Sequence, residues 1–259
     1  MSSNKYKVES GIQMIIRLTR KTDLNNFYPK LFKMGPKQGH IVEMYCEDDT
    51  SSLLYDIICE SLIPLELGGK ESGVIIFNTD GKFDLDFMEN IMKNKLASCL
   101  CDLSSINNFL SNLRSNLFVY DIYDATQLYA TIQHLEGVLL NHSNISLIVF
   151  DTLTAFYWSE QNFKIMKMDV YLKHLLKIIQ KAVKDYKVVT LYTRPQYFSS
   201  SKEKIENLEP CHEHPTSENL NYRIQVLFTD DGTHHATVRT YNELYMHSFR
   251  IKDNNIVWC

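Results

Sequence analysis

The sequence predicts an α/β protein with a mostly parallel sheet flanked by helices and an antiparallel extension towards the carboxyl terminus. Short apolar runs alternate with amphipathic stretches through the middle of the chain, and closely spaced strands without intervening helices follow. Strands of a parallel sheet are covered on both faces, so they are apolar throughout. With 259 residues, 44% of them hydrophobic, the chain can bury a sizeable core.

Five apolar runs are the predicted parallel strands, and they lie at 41–45, 74–78, 117–120, 146–150 and 188–192. After these strands the alternation ends in a long polar segment, 195–221. Four short strands follow at 223–228, 236–241, 245–251 and 256–258. Asp231-Gly232 is a turn signal between two of them, which favours an antiparallel arrangement.

Amphipathic periodicity predicts helices at 53–63, 125–140 and 165–184, each with an apolar stripe for packing against the sheet. Asp124 and Gln127 have the spacing of a capping box at the start of the second helix. Residues 1–36 are predicted to form an N-terminal arm that contains a short apolar helix. Residues 37–259 are then one domain.

Composition limits the classes of function. A net charge of −4 does not favour a chain that binds duplex DNA on its own. The six cysteines form no CxxC pair and no disulfide framework, which is typical of a reducing compartment such as the cytosol or nucleus. No segment is apolar over the roughly 18 residues that a membrane span needs, and no metal-ligand pattern is convincing.

Three segments, at 145–158, 74–84 and 40–46, carry a likeness to a known family. The most specific is 145–158, Ile-Ser-Leu-Ile-Val-Phe-Asp-Thr-Leu-Thr-Ala-Phe-Tyr-Trp, which is similar to the Walker B strand of the RecA-type recombinases and their paralogues and to the residues after it. Residues 74–84 resemble the second core strand, and residues 40–46 resemble the strand that enters the phosphate-binding loop. The likeness covers most of residues 9–198 and implies a RecA-like fold.

The phosphate-binding loop that the family uses, GxxxxGK[ST], is missing. In a working loop, glycine N–H groups surround the phosphates, Lys neutralises them and Ser or Thr holds Mg²⁺. Residues 40–67 contain no glycine, lysine or arginine, and residues 47–49 are Glu-Asp-Asp. Like charges about 4 Å apart interact by roughly 4 kcal/mol at an effective dielectric near 20, so this loop would repel a triphosphate. The resemblance therefore implies a degenerate Walker A loop.

The resemblance also implies where the remnants of a nucleotide site lie, at Thr50, Ser51, Ser52, Asp80, Asp151 and Gln196. Asp151 occupies the Walker B position, although a strand-end acid that caps the next turn is the alternative. Asp80 stands where the family has its catalytic Glu, and one methylene less moves the carboxylate by about 1.5 Å. We expect no catalytic residue, no metal site and no cofactor, with ATP and Mg²⁺ only under an alternative of weak residual binding.

Two loops contact single-stranded DNA in RecA-type proteins. The loop after the Walker B strand, about 158–168, offers Phe163, Lys164 and Lys167 as candidates for stacking and charge contacts. A DNA contact and a plain solvated loop remain equal interpretations of it. The other loop has two lysines against five glutamates within 199–221, which favours a solvated loop.

The resemblance implies a non-catalytic RecA-like subunit of a recombinase-paralogue complex. Such a complex acts in DNA double-strand-break repair by homologous recombination, in the nucleus. The implied partners are other recombinase paralogues, with recombinase paralogue D the closest, and DNA reached through the complex. No membrane partner is expected. Two alternatives stay open: an ATP-dependent, DNA-binding, damage-sensing ATPase, and a structural module of an unrelated complex.

Overall fold

A computed structural model describes residues 11–19, 21–46, 51–97, 103–161, 166–195, 210–215 and 220–259. The strands are β1 Ile41–Cys46, β2 Gly73–Asn78, β3 Leu117–Asp121, β4 Ile145–Asp151, β5 Val189–Pro195, β6 Tyr222–Phe228, β7 His234–Arg239, β8 Leu244–Lys252 and β9 Asn255–Trp258. The helices are α1 Gly11–Leu18, α2 Pro29–Phe32, α3 Ser51–Leu62, α4 Leu85–Ala97, α5 Leu103–Ser115, α6 Ala125–Asn141, α7 Tyr157–Glu160 and α8 Met168–Val183.

The strands form one sheet in the order β3-β2-β4-β5-β1-β6-β7-β8-β9. Neighbours from β3 through β6 are parallel, and those from β6 through β9 are antiparallel. The predicted fold class is therefore confirmed. One detail differs from the sequence prediction: β6 pairs in parallel with β1, so it belongs to both parts of the sheet and the purely antiparallel extension begins at β7.

Helices cover both faces of the central parallel strands, which explains why β2 and β4 are buried and almost entirely apolar. On one face α3, α4 and α5 contribute to a buried cluster that includes Val74 and Ile76 of β2. On the other face α6 and α8 pack over Ile75 and Phe77 of the same strand. Successive side chains of a strand point to opposite faces, so β2 supplies both cores at once.

The three predicted helices are present as α3, α6 and α8. The backbone N–H of Gln127 donates to Oδ1 of Asp124 at 2.8 Å, which confirms Asp124 as the N-cap of α6. The Gln127 side chain accepts from the N–H of Tyr123 at 2.9 Å. Helices α4 and α5 were not predicted, because polar residues interrupt their apolar spacing. No helix in the described ranges has the length and apolarity to cross a bilayer.

The second half of the predicted N-terminal arm packs on the sheet. Leu24, Phe27 and Leu31 are buried in the same cluster as α3. The hydroxyl of Tyr222 on β6 donates to the carbonyl of Gly35 at 3.2 Å. The predicted apolar helix of the arm is α1. The boundary at residue 36 stays a prediction.

Candidate functional site

The candidate site lies at the carboxyl ends of β1, β4 and β5. Ligands of open α/β sheets bind outside this edge. Asp151 is the last residue of β4, and α3 begins at Ser51, shortly after β1 ends at Cys46. Strand β5 lies between β1 and β4 and brings Thr193 to the same edge.

The carboxylate of Asp151 is largely enclosed by protein. Burial raises its pKa to about 6, Asp80 adds to the rise, and a hydrogen bond and Lys82 oppose it. That hydrogen bond is donated by the hydroxyl of Thr193 to Oδ1 of Asp151 at 2.6 Å. At pH 7 a carboxylate with a pKa of about 6 is roughly one-tenth protonated, so Asp151 is mainly ionised and carries a buried negative charge.

Threonines fix the backbone around Asp151. The hydroxyl of Thr79, after β2, donates to the carbonyl of Thr152 at 2.5 Å, and the Thr79 N–H donates to the carbonyl of Asp151 at 2.9 Å. The hydroxyl of Thr152 donates to the carbonyl of Thr193 at 2.6 Å. Strands β2, β4 and β5 are thus held together at their ends, and Asp151 is held with them. The peptide bond between Asp151 and Thr152 is cis.

Asp80 lies near Asp151 and is engaged locally. Its Oδ1 accepts from the N–H of Lys82 at 3.1 Å, and the Lys82 ammonium is 3.6 Å from its Oδ2. Tyr55 of α3 closes this side of the site, because its hydroxyl donates to the carbonyl of Lys82 at 3.3 Å and accepts from the N–H of Asp84 at 2.8 Å. Burial raises the pKa of Tyr55, and Asp151, Asp84 and Asp80 raise it further.

A buried ion-pair network lies one step inside the same edge. Glu43 of β1 is 1% exposed. Its Oε2 accepts from Nε of Arg223 at 2.6 Å, and its Oε1 accepts from the Tyr192 hydroxyl at 2.8 Å and from Nη1 of Arg194 at 3.3 Å. The Arg194 guanidinium also lies over the Tyr45 ring, 4.8 Å from its centroid. Burial alone would raise the pKa of Glu43, but the two arginines hold it below its ordinary value.

The structure therefore brings together two of the predicted nucleotide-site residues, Asp151 and Asp80. Ser52 is buried in the first turn of α3, and Ser51 is the first residue of that helix. Lys167 is exposed at the start of α8. The predicted residues Thr50, Gln196, Phe163 and Lys164 lie outside the described residues. Sequence reasoning missed Thr193, Tyr55 and the Glu43 network, since only the fold brings these distant residues together.

The ATP and Mg²⁺ that a RecA-like fold implies do not fit this residue set. The segment from β1 to the end of α3 supplies no lysine or arginine for the phosphates. The Asp151 carboxylate is bonded to Thr193, and its pKa is raised to about 6. Asp80 is bonded to the N–H of Lys82. A triphosphate at this edge would meet carboxylates without the phosphate-loop lysine that normally neutralises it.

The protein is a RecA-like α/β protein, as its sheet order, its flanking helices and the acid at the end of β4 indicate. No protein-family model matches the chain. Over its full length the chain is 21% identical to DNA repair protein XRCC2 of Mus musculus, in an alignment of 285 residues that covers 100% of each protein.

The crystal structure of the RadB recombinase shares the fold, with a TM-score of 0.63 and 18% identity. The match covers 92% of this chain and 97% of that chain. The resemblance to a RecA-like recombinase paralogue is thereby confirmed, and the similarity to XRCC2 extends over the whole chain.

Proposed function

We propose that this chain is a non-catalytic RecA-like subunit of a recombinase-paralogue complex that repairs DNA double-strand breaks by homologous recombination. The complex would act in the nucleus. Full-length similarity to a DNA repair protein supports the process, and the RecA-like fold supports the class of partner. The nearest expected partner is recombinase paralogue D, and DNA is reached through the assembled complex.

The observation that carries the non-catalytic part is the residue content between β1 and α3. A RecA-like fold keeps its phosphate-binding loop at this junction, and here residues 40–67 hold no glycine, lysine or arginine. Without glycine the backbone cannot wrap closely around phosphates, and without lysine their charge stays unneutralised. The fold would then be retained for its protein-binding surfaces.

One alternative has a specific observation in its favour. Asp151 and Asp80 lie at the positions that a nucleotide-binding relative would use, and the threonines around Asp151 hold it rigidly at the strand end. An ATPase with weak residual affinity would use this pair. The carboxylates of Asp151 and Asp80 would then have to bind the cation without further ligands from the phosphate-binding loop.

Affinity purification of the tagged full-length chain from its own cells, followed by mass spectrometry, tests the proposal. We expect other recombinase paralogues to be recovered, paralogue D most strongly. The lysate should be treated with nuclease, because DNA could otherwise bridge proteins that do not touch. Recovery of an unrelated assembly without any recombinase homologue would contradict the proposed function.

A variant of the same purified complex distinguishes the ATPase alternative from the proposed non-catalytic function. We expect Asp151→Asn to leave assembly and repair unchanged, since no nucleotide chemistry depends on that carboxylate. Asp230→Asn, in an exposed turn, is the matched control. Loss of repair with Asp151→Asn alone, with the complex intact, would favour the ATPase.

A further inference from the structure

A groove lined by lysines lies at the opposite end of the sheet from the candidate nucleotide site. It has a volume of about 540 Å³, and Lys177, Lys181, Lys184 and Lys187 line it together with Gly39 and Pro215. Gly39 precedes β1 and Lys187 precedes β5, so the groove lies at the amino ends of these strands. At about 3.3 Å per residue, β5 alone places it roughly 20 Å from Thr193.

The charge of the groove has one sign. Among its described lining residues there are four lysines and no carboxylate. Asp185 is exposed between two of these lysines in the sequence, and Glu213 is exposed close to Pro215, yet neither lines the groove. In a protein with a net charge of −4, these four lysines form a local concentration of positive charge.

The lysines are arranged in a line along a helix. Lys173, Lys177 and Lys181 follow each other at four-residue spacing on α8, and Lys184 comes three residues later; all four are exposed. Residues on one helix face at this spacing are about 6 Å apart along the axis, so the line extends for about 17 Å. A linear array of ammonium groups matches a linear polyanion better than a single compact anion.

Backbone donors at the groove are already used. The N–H of Gly39 donates to the carbonyl of Val188 at 3.0 Å, and the N–H of His40 donates to the carbonyl of Lys37 at 3.1 Å. A nest of free N–H groups, which would grip one phosphate, is therefore not formed by these two residues. The ligand would be bound mainly through lysine charge, which does not select a particular base.

We propose that this lysine groove binds the phosphodiester backbone of DNA without sequence preference. The choice of DNA over other polyanions rests on the proposed function in DNA repair. Each neutralised phosphate releases counterions, so affinity should fall steeply with salt, with a slope of about 0.9 per contact. Four contacts correspond to about a 150-fold loss between about 50 and 200 mM salt.

The test is fluorescence anisotropy of a labelled DNA duplex with the full-length chain across that range of salt. The groove is one contact among those of the complex, so the lone chain should bind weakly and measurably only near about 50 mM salt. The double variant Lys181→Glu/Lys184→Glu removes the centre of the groove. We expect at least a tenfold weaker affinity and a salt slope smaller by about 1.8, as two contacts are lost. The matched control is Lys93→Glu/Lys252→Glu, which changes net charge equally at exposed positions on α4 and β8. The control should bind within twofold of the original chain.

Four outcomes would overturn the proposal. The first is an equal loss of DNA affinity in both double variants, and the second is no binding of DNA by the original chain at about 50 mM salt. The third is displacement of DNA by inorganic phosphate at equal phosphorus concentration. The fourth is binding of polyglutamate that is as tight as that of DNA and depends on the same lysines. Thermal melts of both variants verify that they are folded. The anisotropy experiment uses the lone chain and is therefore independent of the affinity purification. A purification that recovers no recombinase homologue would refute the proposed function, and the measured DNA affinity of the groove would remain valid.

Discussion

The hydroxyl of Thr193 donates a hydrogen bond of 2.6 Å to Oδ1 of Asp151, although 42 residues separate the two in the chain. This bond connects the ends of β4 and β5 and favours the ionised carboxylate. It does not overcome burial, which raises the pKa of Asp151 to about 6. Asp151 is thus an acid whose ionisation opposes folding.

Asp151→Asn should stabilise the protein at neutral pH. Between the ordinary pKa of an aspartate, about 3.9, and the folded value of about 6, the folded state binds more protons than the unfolded state. The free energy of unfolding therefore falls as pH rises through this window. The variant lacks that loss, so its advantage should reach about 3 kcal/mol above pH 6 and disappear below about pH 4.

Urea denaturation at a series of pH values measures this difference. The amide oxygen of the new Asn can still accept from Thr193, so the strand connection is kept. Asp230→Asn, in an exposed turn, should follow the original pH profile. An Asp151→Asn profile parallel to that of the original chain would show that this carboxylate is not buried as described.

Arg223→Met should destabilise the protein strongly. Removal of this arginine leaves Glu43 buried with Arg194 and the Tyr192 hydroxyl only. Breaking one side of a buried ion pair costs about 3–5 kcal/mol, and the lower end of this range is expected because Arg194, at 3.3 Å, still compensates Glu43 in part. Chemical denaturation gives the value, and Lys33→Met, at an exposed ion pair with Glu243, should change it little.

The double variant Glu43→Gln/Arg223→Met tests the coupling directly. Its destabilisation should be smaller than the sum of the two single effects, because the second change removes the charge that the first one leaves unpaired. Additive effects would mean that Glu43 and Arg223 do not interact.

The isolated chain should bind Mg-ATP no more tightly than millimolar. Residues 40–67 offer no phosphate-binding glycine or lysine, and Glu-Asp-Asp at 47–49 repels the triphosphate. Isothermal titration calorimetry measures the affinity. Any residual binding should be unaffected by Asp151→Asn, and a micromolar dissociation constant would contradict this account of the site.

Two glycines should respond in opposite directions to alanine. Gly137 lies within α6, and a Cβ there would meet nothing within 4 Å, so Gly137→Ala should stabilise by about 1 kcal/mol through helix propensity. A Cβ at Gly69 would lie 2.1 Å from the carbonyl oxygen of Ile63, so Gly69→Ala should destabilise. The melting temperatures of the two variants test this prediction. Shifts in the same direction would contradict the described surroundings of Gly137 and Gly69.

The order of strands and helices could largely be predicted because each parallel strand is a short apolar run and each long helix has one apolar stripe. Helix α5 was missed since Ser104, Ser105 and three asparagines dilute its apolar spacing. The parallel pairing of β6 with β1 carries no local signal. The two arginine partners of Glu43 lie 151 and 180 residues further along the chain, so only the folded sheet brings them together.

The position of β1 has a consequence for biosynthesis. This strand is made early, yet both of its neighbours in the sheet, β5 and β6, belong to the last third of the chain. At about 5–20 residues per second, a ribosome needs roughly 10–30 s to deliver them. Throughout that interval an apolar strand has no partner on either edge, which invites aggregation of the nascent chain. Good yields of this protein should therefore depend on chaperones that shield the emerging amino-terminal half.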